Sequence, residues 1–113
     1  MDAISQVIAA IDHSQEPARD VQKAAVRTLL ERLATSVPGN SVEVRVPPFG
    51  AVQCVAGPRH RRGTPANVVE SDPVTFLHVA LGRMTFAEAV ASGKITASGA
   101  RSDLSEHFPL LES

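Results

Sequence analysis

Four consecutive residues, Arg59, His60, Arg61 and Arg62, put three fixed positive charges and one titratable ring between Gly57-Pro58 and Gly63-Thr64-Pro65. Glycine permits close backbone approach to a ligand, proline stiffens the segment, and guanidinium forks match a carboxylate or phosphate. One reading is an anion clamp at the mouth of a binding site. The other is a solvated turn whose charges pair with nearby acids such as Glu70 or Asp72. Gln53, Thr64, Asn67, Glu70 and Thr75 form a second polar set, in which Asn67 and Thr75 also suit plain turn and cap duties.

Catalytic candidates are few. Cys54 lies in an apolar run, where desolvation raises a thiol pKa and suppresses the thiolate that nucleophilic catalysis needs. His78 falls on an apolar helical face with no second residue at useful spacing. His13, His60, His78 and His107 are scattered without metal-ligand spacing, and one cysteine cannot form an internal disulfide. The residues therefore imply no enzyme, no metal and no cofactor.

The apolar side chains offer more. Phe49, Val52, Cys54, Phe76, Leu77, Val79, Ala80, Phe86, Val90, Ile95 and Phe108 are those expected around an interior space. An apolar ligand buried there gains about 25 cal/mol per Å² removed from water, without any charged partner. The competing reading is ordinary core, since the apolar residues are mostly Ala and Val, and Ala-rich segments bring helices close.

These side chains need elements to hold them. Ile4, Val7, Ile8 and Ile11 recur at helical spacing, predicting a short helix that ends near Asp12-His13. Pro17 fits the first turn of a longer helix, in which Val21, Ala25, Val26, Leu29, Leu30 and Leu33 form the buried stripe. Arg19, Lys23, Arg27, Glu31 and Arg32 lie mostly opposite and read as a solvated face. After Val37-Pro38-Gly39-Asn40 the period becomes twofold, with Val42, Val44 and Val46 alternating against Glu43 and Arg45. Pro47-Pro48 ends that strand. Ala51–Ala56 reads as its partner and Asn67–Ser71 as a third strand.

Ser71 or Asp72 ahead of Pro73 begins a helix carrying Val74, Leu77, His78 and Leu81, which Gly82 ends. Thr85 with Glu88 forms a capping box for a further short helix, and Gly93 follows it. Lys94–Ser98 is a strand, and a last helix of a turn or two starts at Ser102 or Asp103. The whole is one α+β domain over residues 1–113, with N-terminal helices in 1–37, a sheet and helix core in 42–111, and a mainly antiparallel sheet covered by helices.

With 113 residues, 43% hydrophobic, 20% charged and a net charge of −1, the chain has no field for nucleic acid or an anionic membrane beyond a local patch. Four Phe with no Trp or Tyr give few platforms for stacking bases. Asp2, the lack of a basic run before an apolar stretch, and the absence of roughly eighteen consecutive apolar residues predict a cytoplasmic protein without integral membrane association.

The run VRVPPFGAVQC over Val44–Cys54, then GPRHRRGTPANVVE over Gly57–Glu70 and DPVT over Asp72–Thr75, resembles the short actinobacterial sterol carrier family proteins. FLHVALGRMTFAEAVASGKITASG over Phe76–Gly99 is similar to the wider sterol carrier superfamily, in which helix, Gly, helix and a Gly-flanked strand recur in that order. Residues 42–111 carry the resemblance, and the N-terminal helices rest on pattern alone. It implies a curved sheet covered by helices, with an apolar tunnel that accepts a lipid, sterol or acyl chain and performs no covalent chemistry. The implied partner is an apolar or amphipathic small molecule. The same fold also serves as an accessory domain beside enzymes, so a groove that docks a partner chain, or a second copy in a homodimer, is the alternative.

Overall fold

The computed structural model describes residues 1–58 and 67–111. Asp2 caps the first helix by accepting the Ser5 N–H at 2.8 Å, and α1 runs over Ala3–Asp12 with Val7 fully buried and Ile4, Ile8 and Ile11 half-buried beside it. Helix α2 covers Arg19–Ser36. Its buried stripe is Gln22, Ala25, Val26, Leu29, Leu30 and Leu33, as the helical period requires. Pro17 does not sit in the first turn. The cap is Ala18, and the Gln22 side-chain amide folds back to donate to the Pro17 carbonyl at 2.8 Å, fixing the chain's entry ahead of the helix.

Four strands, β1 (Val42–Val46), β2 (Gly50–Cys54), β3 (Val68–Ser71) and β4 (Ile95–Ser98), form one sheet in the order β2-β1-β3-β4. The two outer pairings are antiparallel, as expected for a mainly antiparallel sheet, and the central β1–β3 pairing is parallel. A parallel pair needs a long connection, and the β2 hairpin with the chain that follows supplies it. The register aligns Val52, Val44, Val69 and Ala97 in one row across the sheet. Val42, Val44 and Val46 are buried under the helices, so Glu43, Arg45 and Glu70 fall on the opposite, polar face. There Arg45 pairs with Glu43 at 2.9 Å.

Strand β2 stops at Cys54, two residues short of the expected Ala56. Val55 takes φ 65°, a region β-branched residues avoid. It is held by the hydrogen bond from its N–H to the Val37 carbonyl and by the Ser41 N–H and hydroxyl, both donating to its own carbonyl. Gly39 passes so close that a Cβ would lie 2.1 Å from the Val55 oxygen, so no other residue fits. β3 likewise starts at Val68, one residue later than expected, because Asn67 spends its side chain on neighbouring backbone.

Helix α3 spans Pro73–Ala80, with Pro73 at its first position and Asp72 accepting the Thr75 N–H at 3.0 Å. Helix α4 spans Phe86–Ala91 with the capping box complete, Thr85 and Glu88 each accepting the other's backbone N–H at 3.0 Å. The expected last helix is a single 3₁₀ turn, Ser105–His107. Beyond it the N–H groups of Leu110 and Leu111 donate to the Ala80 carbonyl at 2.8 and 3.1 Å. They satisfy an orphan carbonyl at the end of α3 instead of building a helix of their own. Arg32 of α2 fixes the same segment by donating to the Leu110 carbonyl at 3.1 Å. No helix among the described residues is long and apolar enough to cross a membrane.

Candidate functional site

The C-terminal segment returns across the α3–α4 turn without sealing against it, and two adjoining hollows result. The larger, about 540 Å³, is lined by Val79, Leu81, Met84, Phe86, Phe108 and Pro109, with Gly82, Thr85, Ala87 and Ser105 at its margin. The smaller, about 380 Å³, lies on the other side of α4 against Val90, Ala91, Ala97, Ser102 and Asp103. Phe86, Ala87 and Ser105 belong to both. The two therefore share a wall, the first turn of α4, and together make the groove on this flank.

Phe108 organises the wall. Its ring stacks on Phe86 with centroids 5.8 Å apart and meets Phe76 edge-on at 6.4 Å. Such pairs contribute about 0.5–1.5 kcal/mol beyond their buried area, which fixes the wall's shape. Gly82, at φ 77°, takes the left-handed conformation that follows α3 and lies in contact with Pro109. Polar groups at the groove are hydroxyls and one acid. Hydrogen bonds from the Ser105 hydroxyl and N–H hold the Asp103 carboxyl below its ordinary range, so it is charged at neutral pH. Val90 is 37% exposed and faces the smaller hollow.

The apolar candidates are thus divided. Phe86, Val90 and Phe108 line the groove, and Val79 reaches its larger half. Cys54, Phe76, Leu77, Ala80 and Ile95 are packed into the core, with Phe76 touching the groove only through Phe108. Val52 is half-buried on the inner sheet face. Phe49 stands apart under α2, where the Arg19 guanidinium lies 5.2 Å from its ring and Arg27 donates to its carbonyl at 3.2 Å. Burial pushes the Cys54 thiol up to about 11, which keeps it protonated and unreactive at neutral pH.

The second polar set is dispersed. Gln53 and Glu70 lie on the outer sheet face, and Thr75 is buried in the first turn of α3. Asn67 is buried and structural, its amide donating to the Ser41 carbonyl and its oxygen accepting the Arg101 N–H, both at 2.9 Å. Arg59, His60, Arg61, Arg62 and Thr64 lie outside the described residues. His78 is half-buried, and desolvation, then Lys94 and Arg83, hold its imidazole below the ordinary range. It faces no catalytic partner among the described residues and is neutral at pH 7.

Met84, Ala87 and Ser105 are groove residues that the sequence pattern does not single out, and Leu81, Thr85 and Pro109 enter the groove from positions read in the sequence as a helix face, a cap and a helix stop. The one local signal for them is the pair of chain breaks, Gly82 and Phe108-Pro109, that the fold brings face to face. No group of His, Cys, Asp or Glu among the described residues is arranged to hold a metal ion.

Residues 18–110 match the family model described as bacterial SCP ortholog, which covers everything from α2 to the segment that closes the groove and leaves α1 outside. No curated protein matches the sequence.

Proposed function

The chain belongs to that sterol carrier family, and from this premise we propose that it is a non-enzymatic binding protein taking a lipid, sterol or acyl chain into the groove beside α4. The observation that carries the reading is the groove itself. Its two hollows, of about 540 and 380 Å³, lie on either side of a shared Phe86–Ala87–Ser105 wall, next to the packed core. Small-molecule sites of this kind are concave, mostly apolar, and furnished with few polar groups. Each methylene moved from water into the groove contributes about 0.8 kcal/mol. A chain of about ten buried methylenes gains ~8 kcal/mol, from which the loss of its motional freedom is subtracted.

The groove's lining is mainly apolar, with the Thr85, Ser102 and Ser105 hydroxyls and the Asp103 carboxylate as its polar groups, which supports binding by shape and desolvation. Titration with an environment-sensitive fluorescent fatty acid tests it. Saturable enhancement is expected, with loss in Ala87→Trp, which places an indole in the wall common to both hollows. A linear, unsaturable signal up to high protein concentration, with no lipid co-purifying by mass spectrometry, contradicts the reading. Native mass spectrometry of the same preparation also reads subunit number, which distinguishes a groove filled by a small molecule from one covered by a second copy.

A further inference from the structure

We propose that the trough between α2 and the β1–β2 turn is a phosphate-binding site built from Arg19, Lys23 and Arg27. These residues follow one another at four-residue spacing, so they share one face of α2 over two turns, roughly 12 Å. With Asp20, Pro48 and Phe49 they line a hollow of about 510 Å³ in which Asp20 is the one acid. None of the three forms an ion pair among the described residues. Like charges four apart on a helix cost a few tenths of a kcal/mol per pair, and here two such pairs adjoin.

The β1–β2 turn contacts two of the three cations through Phe49. Arg19 lies over the Phe49 ring at 5.2 Å, and Arg27 is held through its Nε, which donates to the Phe49 carbonyl at 3.2 Å. That hydrogen bond leaves the two terminal nitrogens of Arg27 for another acceptor, and the Arg19 guanidinium stays near the ring by cation–π attraction. Lys23 stands between them on the same face, an exposed ammonium at the hollow. Two oriented forks around one ammonium suit a tetrahedral dianion with several acceptor oxygens better than a lone carboxylate. The size of the trough leaves room for an organic substituent, and the phosphate can come from a soluble ester or diphosphate or from a lipid headgroup. Phe49 is already covered by Arg19, so no ring is open for stacking a base.

Backbone amide NMR on the intact protein at low ionic strength tests the site, using inorganic pyrophosphate as the soluble probe and phosphatidylcholine vesicles with and without phosphatidic acid as the lipid probe. Lys23→Glu is the test variant, because Lys23, unlike Arg19 and Arg27, does not hold the hairpin. Lys94→Glu, the same charge change far along the chain, is the control. Saturable pyrophosphate shifts at Arg19, Asp20, Lys23 and Phe49, weakened at least about tenfold by Lys23→Glu and lost near 1 M salt, where the Debye length is about 3 Å, support a soluble phosphate ligand. Vesicle binding that requires phosphatidic acid and is lost only in Lys23→Glu supports the same site filled by a headgroup. Binding of neither probe, equal loss in both variants, or shifts concentrated elsewhere overturns it.

Discussion

The layer between sheet and helices and the flank beside α4 are both built mainly of apolar residues, yet one is closed and the other open. In the first, Val42, Val44 and Val46 stand at every second position and meet Leu29, Leu33 and Leu77 at helical spacing, all at or below 1% exposure. Two regular periods interdigitate there and leave no gap. In the second, α4 must pack against a segment that has one 3₁₀ turn and then an extended run through Pro109. An irregular chain has no ridge to fill the spaces between Phe86, Ala87 and Val90, and the groove is what remains. Openness in this molecule arises where regular structure ends.

Substitutions break or sharpen that contrast. Leu77→Ala removes a fully buried side chain from the closed layer, and a loss of about 2–5 kcal/mol in denaturant unfolding is expected, with affinity per folded molecule little changed. Ala87→Trp, on the open side, should do the reverse. Acyl-chain affinity falls at least about tenfold, about 1.4 kcal/mol, while stability moves by ~0.5 kcal/mol or less, as for most exposed sites. Thr85→Ala removes the cap that sets the first turn of α4 and should cost about 1 kcal/mol, with a smaller drop in affinity as the groove's dividing wall frays.

The smallest effect concerns pH. Cys54 in the closed layer is held from its ordinary 9.0 up to about 11, so the unfolded chain gives up this proton first. Its contribution is fully present below pH 9 and declines as pH rises toward 11. Unfolding titrations of wild type and Cys54→Ala at pH 8 and 10 should show the wild type losing more stability between the two; parallel losses would mean the thiol is not desolvated.

What the sequence discloses follows the same division. α1, α2, β1 and the caps of α3 and α4 are legible because their signals are local: Asp72 ahead of Pro73, the Thr85–Glu88 pair, Val42-Val44-Val46. The parallel β1–β3 pairing is not, since it joins strands separated by a hairpin and a long connection. Nor is the stop at Cys54, which depends on Gly39 meeting Val55 across sixteen residues of chain. Leu104, Phe108, Leu110 and Leu111 suggest a helix by pattern, but Ala80 takes the N–H groups that such a helix would need. Phe86, Val90 and Phe108 were identifiable as apolar candidates. Their separation from Cys54, Leu77 and Ile95 depends on packing, which residue type does not encode. The stripe of Arg19, Lys23 and Arg27 reads as solvated from spacing alone because Phe49, which orders it, arrives from another element.

Methyl NMR of the protein saturated with a deuterated acyl chain shows whether the chain occupies the groove beside α4. Shift changes should concentrate on the methyls of Val79, Met84, Ala87, Val90 and Ala97, with those of Leu29, Leu33, Val42 and Val44 unmoved. Changes spread through the second set, or none in either, would contradict it.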